Sequence, residues 1–170
     1  MRQIFLYFLT LILFIGCKKE EQGSGPRIDI YLLKSFTTTI NQSTTPTTIS
    51  ISNAVQDSTP LVSDHDIKVY IRATTTFVLR NDIQTIIQHY SLDKAFVVTV
   101  DNQPVYYGIF HPSYLSSINF GLATISPGQL NTHELKIDFP TIEGNSFLQQ
   151  LDYRNDSRII NALKATKRLL

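Results

Sequence analysis

The sequence predicts an α+β domain with a mostly antiparallel sheet, in which a strand-helix-hairpin unit precedes further strands and a C-terminal helix. Three observations lead to this prediction. Short apolar runs with strand-like alternation recur along the chain, one stripe of helical period lies between two of them, and a second such stripe lies near the end. We expect the helices to pack on one face of the sheet, because a single apolar stripe must be buried against another layer.

The first half of the predicted domain consists of strands. Residues 27–33 alternate imperfectly between apolar and polar side chains. In residues 35–60 half of the side chains are Ser or Thr, which fits either a glycosylated loop or two edge strands joined by a polar turn. We favour the strands, because Thr has good strand propensity and residues 49–52 alternate cleanly. Residues 67–79 are interpreted as one strand with an interruption at 74–76.

A helix and a hairpin are predicted next. Asn81 is a suitable N-cap, Gln84 has the spacing of a capping box, and one apolar stripe follows at Ile83, Ile86, Ile87 and Tyr90. Residues 96–100 are rich in β-branched side chains, which indicates a central strand buried on both faces. A turn at residues 101–104 and a strand over 105–110 complete the hairpin.

The last part of the chain alternates between loops and short elements. We expect a long loop over residues 111–119, a strand near 122–125 and a strand over 135–139. A final helix should begin at Asn155 and Asp156, with one face formed by Ile159, Leu163, Thr166 and Leu170.

The N-terminus has the composition of a secretory signal peptide. Arg2 precedes an apolar run that only Thr10 interrupts, and this run is shorter than the roughly 20 residues of a membrane-spanning helix. Residues 13–17 resemble a bacterial lipobox. That resemblance implies cleavage of a signal peptide over residues 1–16 and lipidation of Cys17. The Gly/Ser/Pro-containing residues that follow predict a flexible tether up to residue 26, so that residues 17–26 form the lipidated cysteine and its tether. Residues 27–170 are then long enough for a single α+β domain.

The lipid anchor predicts where the protein resides. Residues 18–21 resemble the charged tags that follow the lipidated cysteine of Bacteroidota lipoproteins. This resemblance implies an outer-membrane lipoprotein, held by acyl chains such as palmitate on Cys17, that faces either the periplasm or the cell surface. Loss of Arg2 with the signal peptide leaves equal numbers of basic and acidic side chains. We therefore expect the membrane as a partner and no nucleic acid.

A second resemblance covers about half of the mature chain. Residues 60–67, 96–101, 105–110, 116–117 and 152–160 are similar to the corresponding segments of a set of Bacteroidota lipoproteins of unknown activity. It implies a location in the cell envelope and one domain, and it carries no established activity or catalytic residue.

Most enzyme signatures are absent from the sequence. It contains no Gly-x-Ser-x-Gly, no glycine-rich phosphate loop and no pair of histidines at the spacing of a zinc protease. A single cysteine also excludes an intramolecular disulfide and a Cys-based zinc site. Asp64, His65 and Asp66 are candidate metal ligands, but we interpret them as a polar turn before the strand at residue 67. We expect no cofactor, no metal and no catalytic residue.

The candidate ligand-binding surface follows the predicted hairpin. There aromatic residues alternate with small hydroxyl side chains, a combination that suits a glycan or a peptide. The candidate contacts are Tyr107, Phe110, His111, Tyr114 and Phe120. The alternative is a loop that Phe110, Leu115 and Phe120 pin to the core. Ser58 lies in a short motif that resembles Bacteroidota O-glycosylation sites.

Three functions therefore remain open. The main hypothesis is a non-catalytic binding or accessory module of the cell envelope, with a glycan, a peptide or an envelope protein as its ligand. The first alternative is a small hydrolase that uses acidic side chains with His65 or His111. The second is a structural subunit of an envelope protein complex.

Overall fold

The structure is a computed structural model that describes residues 25–170, so the predicted signal peptide, Cys17 and nearly all of the tether lie outside the described residues. Eight strands are present in this part of the chain: β1 (Ile28–Asn41), β2 (Thr48–Gln56), β3 (Ile67–Ile71), β4 (Thr76–Leu79), β5 (Ala95–Val100), β6 (Gln103–Phe110), β7 (Ala123–Ile125) and β8 (Glu134–Asp138). They form one sheet in the order β2-β1-β5-β6-β7-β8-β4-β3, and only β6 and β7 are parallel neighbours.

Three short helices accompany the sheet: α1 (Gln84–Ile87), α2 (Ser146–Gln150) and α3 (Ser157–Ala165). The predicted mostly antiparallel sheet and C-terminal helix are confirmed, although the sheet dominates the fold. The buried residues Ile87 of α1, Leu148 of α2 and Leu163 of α3 all belong to the larger of two hydrophobic clusters. Within residues 25–170, no helix has the length and apolar character needed to cross a membrane.

Alternation along the central strands builds a hydrophobic cluster on each face of the sheet. In β5, Phe96 and Val98 belong to the larger cluster, whereas Ala95 and Val97 belong to the smaller one. β5 is therefore buried on both faces, as predicted. The β5–β6 hairpin is also confirmed, and its turn residues Asp101 and Asn102 have the positive φ values, 49° and 62°, that a tight hairpin turn requires.

The Ser/Thr-rich segment forms a long hairpin from β1 and β2. Its strands pair antiparallel from Leu33 to Asn41, so the predicted pairing of two strands is confirmed. Only β2 is an edge strand, however, because β1 also pairs with β5. In β2, Ile49 and Ile51 are partly buried and pack against the smaller cluster. The Ile49 N–H donates a hydrogen bond of 2.8 Å to the Phe120 carbonyl, which ties the edge strand β2 to the loop before β7.

Residues 67–79 form two strands instead of one, so that prediction was wrong. The chain reverses at Thr75, whose φ of 52° is left-handed, and β3 then pairs antiparallel with β4. The Thr75 hydroxyl donates to the carbonyl oxygen of Ile137 at 2.6 Å. A contact with a residue far along the sequence therefore helps to hold the turn.

The helix predicted near Ile83 is only one turn long. Gln84 does not complete a capping box, because its side chain points inward and holds the loop before β8. Its Nε2 donates to the Glu134 carbonyl at 3.0 Å, and its Oε1 accepts from the Gly128 N–H at 2.9 Å. The cap comes instead from Asp82, whose carboxylate accepts from the Thr85 N–H at 3.0 Å.

The C-terminal helix α3 begins after Asp156, as predicted, and this carboxylate accepts a 2.9 Å hydrogen bond from the Arg158 N–H. The helix ends before the predicted Leu170, because Lys167 has a left-handed φ of 56° and turns the chain. The Leu170 N–H then donates to the Tyr70 carbonyl at 2.9 Å. The last residues thus cover the outer edge of β3.

Candidate ligand-binding site

The predicted aromatic contacts do not form one surface. Phe110 is fully buried and packs edge to face against Tyr90 and Phe96, with ring centroids 5.0 and 5.6 Å away. The prediction that Phe110 contacts a ligand was therefore wrong, because its ring lies on the inner face of β6 and completes the core. Phe120 is partly buried and packs against the larger cluster, so part of the proposed core-pinned loop is present.

Tyr114 and His111 lie apart from Tyr107. Tyr114 is 78% exposed and borders a separate polar pocket of about 330 Å³ with His89. The His111 Nε2 lies 3.2 Å from the Ser117 hydroxyl, a contact within its own loop. Of the five predicted contacts, Tyr107 lies in the cleft that the described residues form beside the open edge of β6.

This cleft has a volume of about 190 Å³ and lies beside the start of β7. Pairing between β6 and β7 begins at Gly108, so in the described structure the preceding residues of β6 have no strand beside them on that side. The cause is Gly121, whose φ of 89° directs the incoming chain toward β2. A Cβ atom at this position would lie 2.9 Å from the Ile49 carbonyl oxygen, so the turn also needs the small residue.

Tyrosines from three directions line the cleft, and we call it the tyrosine cleft after Tyr106, Tyr107 and Tyr153. Tyr106 and Tyr107 lie on opposite faces of β6 and belong to different hydrophobic clusters. Both still border the cleft, because it opens around the uncovered strand edge. Tyr153 follows α2, and its side chain is 46% exposed.

The Tyr106 hydroxyl is held in its protonated form. Burial, with a smaller contribution from Tyr70, raises the pKa of Tyr106 well above its ordinary value, although the charge of Arg154 opposes the shift. The hydroxyl can therefore donate a hydrogen bond to a ligand oxygen in the cleft.

Arg154 lies at the inner end of the cleft as part of a structural clamp. Its Nε and Nη2 donate to the two carboxylate oxygens of Asp152 at 2.8 and 2.7 Å. Its Nη1 donates to the Thr75 hydroxyl at 3.1 Å and to the Ile137 carbonyl at 3.0 Å. Burial alone would lower the pKa of Arg154, but the bonds to Asp152 outweigh burial and raise it. The guanidinium therefore stays charged and stays paired.

Asp64, His65 and Asp66 form a single 3₁₀ turn before β3, as the polar-turn interpretation predicts. The Asp64 carboxylate accepts hydrogen bonds from the Ile28 N–H at 2.9 Å and from Arg168 at 2.5 Å. Asp66 accepts from the Ser63 hydroxyl at 2.6 Å, and His65 is exposed. Among residues 25–170, no three His, Cys, Asp or Glu side chains come together as a metal site.

The described lining of the tyrosine cleft contains no histidine, aspartate or glutamate that could act as a general base beside a nucleophile. Ser58 is exposed in the turn after β2, and its N–H donates to the Asp57 side chain at 3.0 Å. Its glycosylation stays a prediction.

Of the five predicted contacts only Tyr107 lines the cleft, and the lining residues that sequence reasoning missed include Ser50, Tyr106, Tyr153 and Arg154. Ser50 and Tyr153 come from β2 and from the segment after α2, far from Tyr107 along the sequence. The one available signal was that neighbouring tyrosines on a strand face opposite ways, so one of the two had to lie away from the main core.

Comparison with known proteins gives no further guide to the site. No family model matches the chain, and no significant match is found among curated proteins or among solved structures. The function is therefore argued from the geometry of the cleft and from the sequence.

Proposed function

We propose that this protein is a lipid-anchored binding module of the bacterial cell envelope, held to the outer membrane through Cys17, that binds a small amphipathic ligand in the tyrosine cleft. The observation that carries the binding role is the junction beside β6, where Tyr106, Tyr107 and Tyr153 line one concave space. Small-molecule sites typically combine apolar and aromatic walls with a few well-placed polar groups.

The anchor is supported by the sequence. The apolar N-terminal run, the lipobox resemblance over residues 13–17 and the single cysteine agree with one another. Several acyl chains on Cys17 hold a protein firmly, because each buried methylene contributes about 0.8 kcal/mol. The periplasmic face and the cell surface are the two orientations that this proposal includes.

Metabolic labelling with palmitate tests the anchor. The wild-type protein should incorporate labelled palmitate and sediment with outer membranes, whereas Cys17→Ala should incorporate none. Ser24→Ala, which changes the tether and keeps the cysteine, is the matched control and should behave as the wild type. Equal labelling of Cys17→Ala and the wild type, or no labelling of either, would contradict lipidation at this position.

Paired tyrosine variants test the cleft. Thermal unfolding of the detergent-solubilised lipoprotein is followed with a panel of neutral oligosaccharides, acidic oligosaccharides and short peptides. At least one compound should raise the Tm of the wild type and of Tyr114→Ala, because Tyr114 lies outside the cleft, and the shift should disappear in Tyr153→Ala. An equal shift in Tyr153→Ala, or no shift with any compound, would refute the binding role.

A further inference from the structure

We infer that the ligand of the tyrosine cleft is an uncharged sugar residue at the end of an oligosaccharide. This inference rests on the proposed binding role of the cleft and names the chemical class of its ligand. Three properties of the cleft lead to it: its size, its neutral charge and its pattern of rings and hydroxyls.

The size of the cleft limits the ligand to one ring. Its volume of about 190 Å³ lies below the range of roughly 300–1,000 Å³ that is usual for drug-sized ligands. A six-membered sugar ring with its hydroxyl groups fits such a space. Because the cleft is open on one side, the next sugar of a chain can lie outside it, past the exposed ring of Tyr153.

The charge of the cleft favours a neutral ligand. Arg154 is the one charged residue among the described lining residues, and Asp152 pairs with it through two hydrogen bonds. Two further N–H groups of the Arg154 guanidinium donate to the Thr75 hydroxyl and the Ile137 carbonyl, so only one of its five N–H donors has no partner in the described part of the chain. A carboxylate or phosphate would therefore lose its hydration without gaining a free counter-charge.

The rings and hydroxyls of the cleft match the two kinds of surface on a sugar. A pyranose has C–H faces, which pack on aromatic rings such as that of Tyr153, and a rim of hydroxyl groups, which need hydrogen-bond partners. Tyr106 lines the cleft, and its phenol hydroxyl can donate to such a hydroxyl oxygen. The hydroxyl of Ser50, another lining residue, can both donate and accept.

A peptide strand fits the open edge of β6 less well. Strand addition depends on a row of free backbone donors and acceptors. Near the cleft this row is interrupted, because Pro104 has no N–H and its carbonyl already accepts from Arg158 at 3.2 Å. On the other side, the turn at Gly121 and the start of β7 close the edge at Gly108.

A glycan array tests this inference with the detergent-solubilised full-length lipoprotein. The array carries neutral oligosaccharides of glucose, galactose, mannose and N-acetylglucosamine, the sialylated, sulfated and uronic acid counterparts, and uncharged tetrapeptides. We expect retention on one or more neutral oligosaccharides in preference to their acidic counterparts. Tyr153→Ala should reduce retention by about tenfold, and Tyr114→Ala should leave it unchanged.

Two further variants address the chemistry of recognition. Tyr106→Phe removes only the hydroxyl, so retention should fall severalfold while the Tm in the absence of sugar changes little. Asp152→Asn removes the negative partner of Arg154, so retention on acidic oligosaccharides should rise relative to retention on neutral ones. An unchanged ratio in a folded Asp152→Asn protein would contradict the argument from charge.

The outcomes separate this inference from the proposed function. Preference for acidic glycans, or for the tetrapeptides, with a loss in Tyr153→Ala would overturn the neutral-sugar inference and leave the binding cleft standing. If no probe is retained in a manner that depends on Tyr153, both the inference and the proposed function are wrong.

Discussion

The ion pair between Asp64 and Arg168 is predicted to be a main source of stability, because it joins the start of β1 to the end of the chain. The side chains of Asp64 and Arg168 are 10% and 14% exposed. The Asp64 carboxylate accepts from Arg168 and from the Ile28 N–H, while Arg168 also donates to the Asp64 carbonyl at 2.7 Å. Asp64→Ala would leave the nearly buried guanidinium of Arg168 without its counter-charge and the Ile28 N–H without its acceptor. Breaking such a pair costs about 3–5 kcal/mol of the free energy of unfolding.

Urea denaturation followed by circular dichroism measures this cost. The matched control is Asp138→Ala, which removes the partner of Lys136 from a pair of similar length, 2.8 Å, whose side chains are 47% and 45% exposed. An exposed pair contributes less than about 1 kcal/mol, so the control should unfold close to the wild type. A loss below about 1 kcal/mol for Asp64→Ala, or equal losses in both variants, would refute the reasoning.

Three other predictions concern the packing, the turn at the cleft and the response to acid. Phe110→Ala should destabilise the protein by about 3–5 kcal/mol in urea titrations, because it empties a buried site, whereas Tyr114→Ala should change stability by less than about 0.5 kcal/mol. Gly121→Ala should lower the free energy of unfolding by about 1–3 kcal/mol, because φ is 89° and the added Cβ would meet the Ile49 carbonyl. The control Gly128→Ala should lower it by less, because φ is 79° there but the space around the Cβ is open. The hydrogen bond from the Arg158 side chain lowers the pKa of Asp156. The ionised carboxylate should therefore stabilise the fold above its unfolded-state pKa near 4, and this contribution should be lost as the pH falls below that value. In thermal unfolding at different pH values, Asp156→Asn should flatten this acidic part of the stability curve.

Local signals were sufficient to predict the central hairpin. Phe96 and Val98 alternate with Val97, and a turn of two polar residues separates the strand from β6. The same alternation places Phe110 on the face of Tyr106, and this would have identified Phe110 as core. The error arose because the aromatic residues from Phe110 to Phe120 were interpreted as one ligand-binding surface, although Phe110 was already predicted as the last residue of the strand.

The reversal at Thr75 and the cleft could not be predicted from local signals. Thr is an uncommon residue for a left-handed turn, and its hydroxyl bonds to Ile137, a contact that no neighbouring residue indicates. The cleft likewise needs Ser50, Tyr107 and Tyr153 from three separate segments. Its opening depends on the path of the chain at Gly121, which only the folded contact with β2 defines.

The central claim is that a neutral sugar binds among Tyr106, Tyr107 and Tyr153. Seven of the eight tyrosines in the sequence lie after the proposed cleavage site, so NMR titration of the tyrosine-labelled, detergent-solubilised lipoprotein can follow every ring. On addition of the neutral oligosaccharide that the array retains best, the signals of the three cleft tyrosines should shift together, while the exposed Tyr114 and the distant Tyr90 should not. Shifts centred on Tyr114, or unchanged cleft signals at saturating sugar, would contradict the account.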